Sequence, residues 1–254
     1  MTQNPIKAAM VAGQTVTALW LESGSPELAE AAVHHGWTTI LIDNEHGVAD
    51  LAGAVAVHRA VLAAGGDAIL RIPSADPATL KGVLDRGFRS IMAPMVSSVA
   101  AAKVFAEACL YPPRGSRGYA APVVRASGYG IDAGYRARAH EDMLLIAQIE
   151  HVDAVDDVDA IAAVPGIDML FMGPNDLSGS IGRLEEMDAP DAAALCDRCE
   201  AAILKSPALY GTIPRPGHTA QALSTRGARL ICGPTDIGLF VAGARASRAD
   251  FLFD

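Results

Sequence analysis

Cysteine is scarce, cations are outnumbered, and no stretch stays apolar for long. Each shortage closes off a class of function. Four cysteines in 254 residues cannot staple a core of this size, so no disulfide framework is expected. Cys109 and Cys232 read as small core residues. The Cys196-x-x-Cys199 pair has no companion at zinc spacing and reads as structural, on a helix. No apolar run approaches a membrane span, and residues 1–14 lack the basic start, apolar centre and cleavage site of a leader, so a soluble cytoplasmic protein is expected. With 20 Lys and Arg against 29 Asp and Glu, the net charge is -9. That argues against a nucleic-acid or anionic-membrane partner, since either wants clustered cations. Also missing are a linker and a Gly-rich phosphate fingerprint.

What remains is an apolar chain with a repeating beat. Hydrophobic residues make up 51%, enough to bury one large core, and one domain over residues 1–254 is expected. Strand-like runs cover 16–21, 38–43, 68–72, 88–93, 144–150, 168–173, 209–213 and 230–233. Helical runs alternate with them: 26–35 behind a Ser25 cap, 49–64, one opened by Asp76-Pro77 and stopped by Gly87, then 96–110, 152–164, 191–205, 217–225 and 236–246. Eight such pairs in an α/β chain predict a (β/α)8 TIM barrel. A doubly wound open sheet is the runner-up, without its fingerprint. Between 111 and 142 the alternation breaks into Pro, Gly, Arg, Tyr and Ala, and a long excursion after the fourth helix is expected there.

In such a barrel the chemistry gathers where strands end. Alternation along 144–150 puts Ile146, Gln148 and Glu150 on one face, so a carboxylate closes the fifth strand. The sixth runs into the turn Gly173-Pro174-Asn175-Asp176, which brings out a second carboxylate at the same end. On neighbouring parallel strands Glu150 and Asp176 would converge on a point suited to an oxygen-loving divalent cation such as Mg²⁺ or Mn²⁺. Taken singly, each could equally be a capping or turn residue. The second strand delivers Asp43 and, three residues on, His46. That turn is short enough for the carboxylate to fix the imidazole tautomer and raise its basicity, with a plain polar loop as the alternative. Arg71 ends an otherwise apolar strand, where its guanidinium would meet a carboxylate or an enolate, or else pair with Glu45 or Glu150. Backbone N–H groups of Asn175 and Asp176 could bind an anion. Cation, guanidinium and amides together describe a 2-oxo acid site. Lys81, Lys103 and Lys205 fall on helices, which disfavours Schiff-base chemistry.

Six pieces in order carry a resemblance over nearly the whole chain: Leu41-Ile42-Asp43-Asn44-Glu45-His46, Arg71-Ile72-Pro73, Pro94-Met95-Val96, the run 111–118, Gln148-Ile149-Glu150 and the run 173–178. The chain resembles the HpcH/HpaI family of class II, metal-dependent pyruvate aldolases. The resemblance implies that Glu150 and Asp176 bind a divalent metal (Mg²⁺, Mn²⁺ or Co²⁺) and that Arg71 stabilises an enolate. His46, supported by Asp43, would be the base, and Gln148 with Gly173, Pro174, Asn175 and Asp176 would hold pyruvate. An acidic residue in the position of Asp85 is tied in the family to the basicity of that histidine. The family resemblance also implies a hexamer whose loop after the fourth helix, here residues 118–122 with a bulky Tyr119, reaches toward a neighbouring subunit's site. The implied reaction is reversible cleavage of a 4-hydroxy-2-oxo acid, such as 4-hydroxy-2-oxoheptanedioate or a 2-keto-3-deoxy sugar acid, to pyruvate and an aldehyde. Alternatives are an acyl-CoA lyase of the citramalyl or malyl type, a metal-dependent 2-oxo acid decarboxylase and a noncatalytic barrel. The last helix and the apolar run 249–254 are expected to dock on a partner subunit.

Overall fold

The computed structural model describes residues 3–249 and 251. In it eight parallel strands close on themselves in sequence order: β1 (Val16–Leu21), β2 (Thr39–Asp43), β3 (Asp67–Arg71), β4 (Ser90–Ala93), β5 (Leu144–Ile149), β6 (Met169–Met172), β7 (Leu209–Thr212) and β8 (Leu230–Thr235). Pairing of β8 back onto β1 makes this the (β/α)8 barrel and excludes the open sheet. Around it run α1 (Pro5–Val11), α2 (Pro26–His34), α3 (Leu51–Ala63), α4 (Pro77–Asp85), α5 (Val99–Cys109), α6 (Tyr135–Arg138), α7 (Val152–Val155), α8 (Val158–Ala162), α9 (Pro174–Gly179), α10 (Pro190–Lys205), α11 (Ala220–Arg226) and α12 (Asp236–Ala249). Among the described residues no helix is long and apolar enough to cross a membrane.

Local chemistry starts these helices. Ser25, Asp50, Asp76 and Ser98 each accept a hydrogen bond from the backbone N–H three residues on, a cap typically contributing about 1 kcal/mol. Strand alternation then sorts side chains into two layers. Trp20, Leu41, Ile69, Met92, Ile146 and Phe171 fill the barrel interior, whereas Leu19, Ile42, Leu70, Leu145 and Ala147 face the helices. The floor is closed by α1, which the sequence reading did not anticipate. Its Ile6 and Met10 join the interior cluster, and Asn4 binds the Ser90 hydroxyl and the Asp142 carbonyl. All four cysteines are buried and free. Burial pushes the Cys199 thiol up to about 12, in keeping with a structural Cys196/Cys199 pair on α10.

The excursion leaves α5 and enters β5 at the amino-terminal rim, opposite the strand ends that carry the chemistry. It is tied down there. Arg125 donates to the Arg86 carbonyl at 2.6 Å and bonds His58 Nδ1 at 3.3 Å. Burial first, then the Arg125 charge, depress His58 to about 3, so its ring is neutral where it stacks on Phe88. Arg117 pairs with Asp85 at 3.1 Å and lies over the Tyr111 ring. None of these residues lines the strand-end cavity.

One helix breaks the pattern of burial. Every described residue of α12 after Asp236 is exposed, Phe240 at 71%, and on the outer face of β1 Thr17 is exposed where a barrel strand is normally covered. Of the apolar run 249–254, residues 250 and 252–254 lie outside the described residues, and Phe251 is exposed.

Candidate active site

At the carboxyl ends of the strands lies a cavity of about 780 Å³, lined on one arc by Glu22, His46, Arg71, Gln148 and the turn 173–176, and on the other by Trp20, Phe171, Ile213, Pro214, Cys232 and Pro234. Register explains the polar arc. Asp43 stands directly across from Arg71 on β2 and β3, both at the last inward-facing position. The two lock together: Arg71 Nε donates to Asp43 Oδ1 at 2.9 Å and Nη2 to Oδ2 at 2.5 Å, while Nη1 meets Glu45 at 2.9 Å. Trp20 Nε1 donates to Asp43 Oδ2 at 3.1 Å, and its ring lies 4.6 Å from the guanidinium carbon. Burial alone would raise the Asp43 carboxyl; the Arg71 hydrogen bonds and charge more than reverse it, leaving it below the usual carboxylate range.

This corrects the expected Asp43–His46 dyad. Asp43 binds the backbone N–H groups of Glu45 and His46 at 2.9 and 3.2 Å. With those, Trp20 and Arg71 its lone pairs are filled, and none is left for the imidazole. Asp43 holds the loop, not the ring. His46 is exposed and lines the cavity. Asp85 does not reach the cavity within one chain. It ends α4 on the far rim, engaged with Arg117, away from His46 of its own chain.

Glu150 follows β5 directly and is 3% exposed. Its Oε1 accepts from Met95 N–H and its Oε2 from Gln148 Nε2, both at 2.6 Å. Met95 reaches it from a left-handed backbone, φ 51, a strained conformation that no sequence signal announced. Burial, aided by the negative charges of Asp176 and Glu45 and opposed by the Met95 hydrogen bond, lifts Glu150 to about 7. Gly173 opens the space beside it: a Cβ there would stand 2.7 Å from Glu150 Oε2. Asn175 and Asp176 sit exposed in the first turn of α9.

Could these residues hold a cation? Burial raises Glu22 and Glu45 as well, helped in each case by the Asp43 charge. Among the described residues lining the cavity, Arg71 is the one arginine or lysine. Negative charge is therefore in excess, the donors are oxygens, and Gln148 Oε1 is buried without a partner. That set fits a hard divalent ion. A different acidic group, Asp197, Glu200 and His218, brings ligand atoms close together. Its buried Glu200 is already met by Arg215, Arg226 and the Tyr210 hydroxyl, which leaves no place for a cation.

Residues 16–243 match the family model of HpcH/HpaI aldolase/citrate lyase. The chain belongs to this family. A 4-hydroxy-2-oxovalerate aldolase of Novosphingobium aromaticivorans is 39% identical, over 95% of this chain and 92% of its own. A 2-keto-3-deoxy-L-rhamnonate aldolase of Klebsiella pneumoniae is 31% identical, over 100% of this chain and 95% of its own. Among solved structures, a HpcH/HpaI aldolase/citrate lyase family protein from Burkholderia cenocepacia superposes with a TM-score of 0.91 at 30% identity, covering 98% of this chain and 99% of the other. This family member is accordingly an aldolase, a carbon-carbon lyase.

Proposed function

We propose that this aldolase cleaves a 4-hydroxy-2-oxo acid reversibly to pyruvate and an aldehyde, as a class II enzyme. The observation that carries the reading is buried Glu150, raised to about 7 beside Asp176 and within reach of the Arg71 charge, at the end of a closed barrel. Glu150 and Asp176 would hold a divalent cation (Mg²⁺, Mn²⁺ or Co²⁺), which supplies Lewis-acid polarisation of the 2-oxo group when bound. The chain's own residues do the rest. Two of the five Arg71 N–H donors are spent on Asp43, and Nη1 stands 2.9 Å from Glu45 Oε2 without a hydrogen bond, which leaves the N–H groups of Nη1 and the second one of Nη2 for the substrate carboxylate or the enolate oxygen. Gln148 offers its unpartnered Oε1, and the turn from Gly173 to Asp176 closes the pyruvate end. His46 takes the proton of the C4 hydroxyl as the C3–C4 bond breaks.

The deciding experiment measures pyruvate and aldehyde released from 4-hydroxy-2-oxo acids across a panel of divalent ions and with chelator. Borohydride treatment in the presence of pyruvate should leave the protein unlabelled, because no lysine is among the described residues that line the cavity; a labelled lysine would overturn the class II assignment. For His46→Ala, cleavage is expected to slow by about a hundredfold or more with pyruvate affinity nearly unchanged. Equal loss of both would make His46 a binding residue instead.

The reading includes a homo-oligomer, hexameric by family resemblance. The exposed apolar face of α12 and the bare Thr17 on β1 support it, since two such surfaces call for cover from a second copy. Phe240→Asp should shift sedimentation to a smaller species; an unchanged profile would remove α12 from the interface.

A further inference from the structure

Only the head of α12 is tied into the barrel. Asp236 is 7% exposed, and its Oδ1 and Oδ2 accept hydrogen bonds from the backbone N–H groups of Glu22 at 2.8 Å and Ser23 at 3.2 Å. The helix does not need this carboxylate for its own start, because the Thr235 hydroxyl accepts from Gly238 N–H at 2.9 Å. Asp236 is thus spent on the end of β1. From there the bonding continues along the cavity rim, to the loop after the neighbouring strand. Glu22 lines the cavity, and its carbonyl accepts from Val48 N–H at 2.9 Å. Val48 closes the loop that carries His46, whose other end is held by the Asp43 carboxylate. Between those two attachments Gly47 is wedged so tightly that a Cβ would lie 2.1 Å from the Asp43 carbonyl and 3.0 Å from that of Glu22.

We propose that Asp236 is a positioning residue: it fixes the backbone at Glu22 and Ser23 and, through the Glu22–Val48 bond, sets where His46 stands over the substrate. This rests on the reading of His46 as the base of the aldol step. Inside the barrel the loop is held by the Asp43 carboxylate, by Glu45 against Arg71 and by Asn44 N–H on the Arg71 carbonyl, and at the rim by Glu22; only the rim attachment depends on the head of α12. Misplacing a catalytic group by about 1 Å can cost about a hundredfold in rate, so loosening the rim attachment while the inner ones hold is expected to cost about tenfold.

The test uses Asp236→Ala and Asp236→Asn in the full chain with divalent cation present. Two quantities are read: steady-state cleavage, and amide hydrogen exchange of peptides spanning 20–24 and 44–49. For Asp236→Ala, kcat falls about tenfold, KM stays within about twofold, and exchange quickens in both segments. Asp236→Asn, which keeps one acceptor, falls between Ala and wild type and serves where the Ala variant does not fold. Unchanged kcat overturns the proposal, as does a rise in KM alone or faster exchange confined to 236–249. If the wild-type chain releases no pyruvate from any substrate, the aldolase reading fails instead, and exchange at 44–49 still decides whether Asp236 holds the loop.

Discussion

Replacing Glu150 by alanine is expected to lower turnover at least about a thousandfold, the scale of several kcal/mol of lost charge stabilisation, while the fold survives. The fold survives because two effects offset. The change strands the Met95 N–H and the Gln148 amide, at about 1–3 kcal/mol for each buried donor, but it also removes a carboxyl that burial has already made hard to ionise. The raised value sets the pH dependence. Folded Glu150 is lifted to about 7, well above the ordinary glutamate value of 4.5, so between those values the native protein keeps a proton that the unfolded chain has lost. That contribution, about 3 kcal/mol for a shift of this size, is complete below the unfolded value and is lost as pH rises through about 7. A divalent ion binds the carboxylate and not the acid. Thermal melts should therefore show little stabilisation by Mg²⁺ or Mn²⁺ at pH 5.5 and a clear gain at pH 8, with the difference gone in Glu150→Gln. An equal cation effect at both pH values would take Glu150 out of the proposed metal site.

Asp43→Ala should be the most destabilising single change at the barrel mouth. Asp43 is 1% exposed and Arg71 6%, and breaking a buried pair by removing one partner costs about 3–5 kcal/mol because the survivor stays buried without its counter-charge. In a chain of this length that corresponds to a fall in Tm of roughly 6–20 °C. Glu45 limits the damage by keeping one contact to the guanidinium, so Asp43→Asn, which also retains hydrogen-bonding shape, should fall in between. A variant that melts like wild type but shows a displaced pH-rate profile would restore Asp43 to the role of imidazole partner.

Much of this barrel can be read without coordinates because both layers of each strand are apolar and end in abrupt polar punctuation. The run 144–150 is legible in this way: parity places Gln148 inward, where it lines the cavity and bonds Glu150, and Leu145 and Ala147 outward in the helix-facing layer. Pairings between strands are less legible. Whether Arg71 answers Asp43 or Glu150 turns on the β2–β3 register, which sets Asp43 opposite Arg71, and nothing local to either strand encodes it. The left-handed Met95 arises from how β4 ends against β5, where Val96 N–H bonds the Gln148 carbonyl. The α1 plug has a local signature, Asn4 accepting from Lys7 N–H just ahead of Pro5, yet its seven residues gain meaning only from the open barrel floor they fill. Helical periodicity over 152–164 conceals a break between α7 and α8, where the adjacent carboxylates Asp156 and Asp157 interrupt the apolar face.

In the proposed oligomer, a last helix that leaves its own barrel flank bare would tie chemistry to concentration. One molecule alone exposes Phe240 and Thr17 at once, and the same helix begins at the carboxylate that holds the rim of the cavity. Should α12 dock on a second copy, as proposed, dilution would act on the site as well as on the assembly, and a rate measured at nanomolar protein would describe a different object from one measured at micromolar.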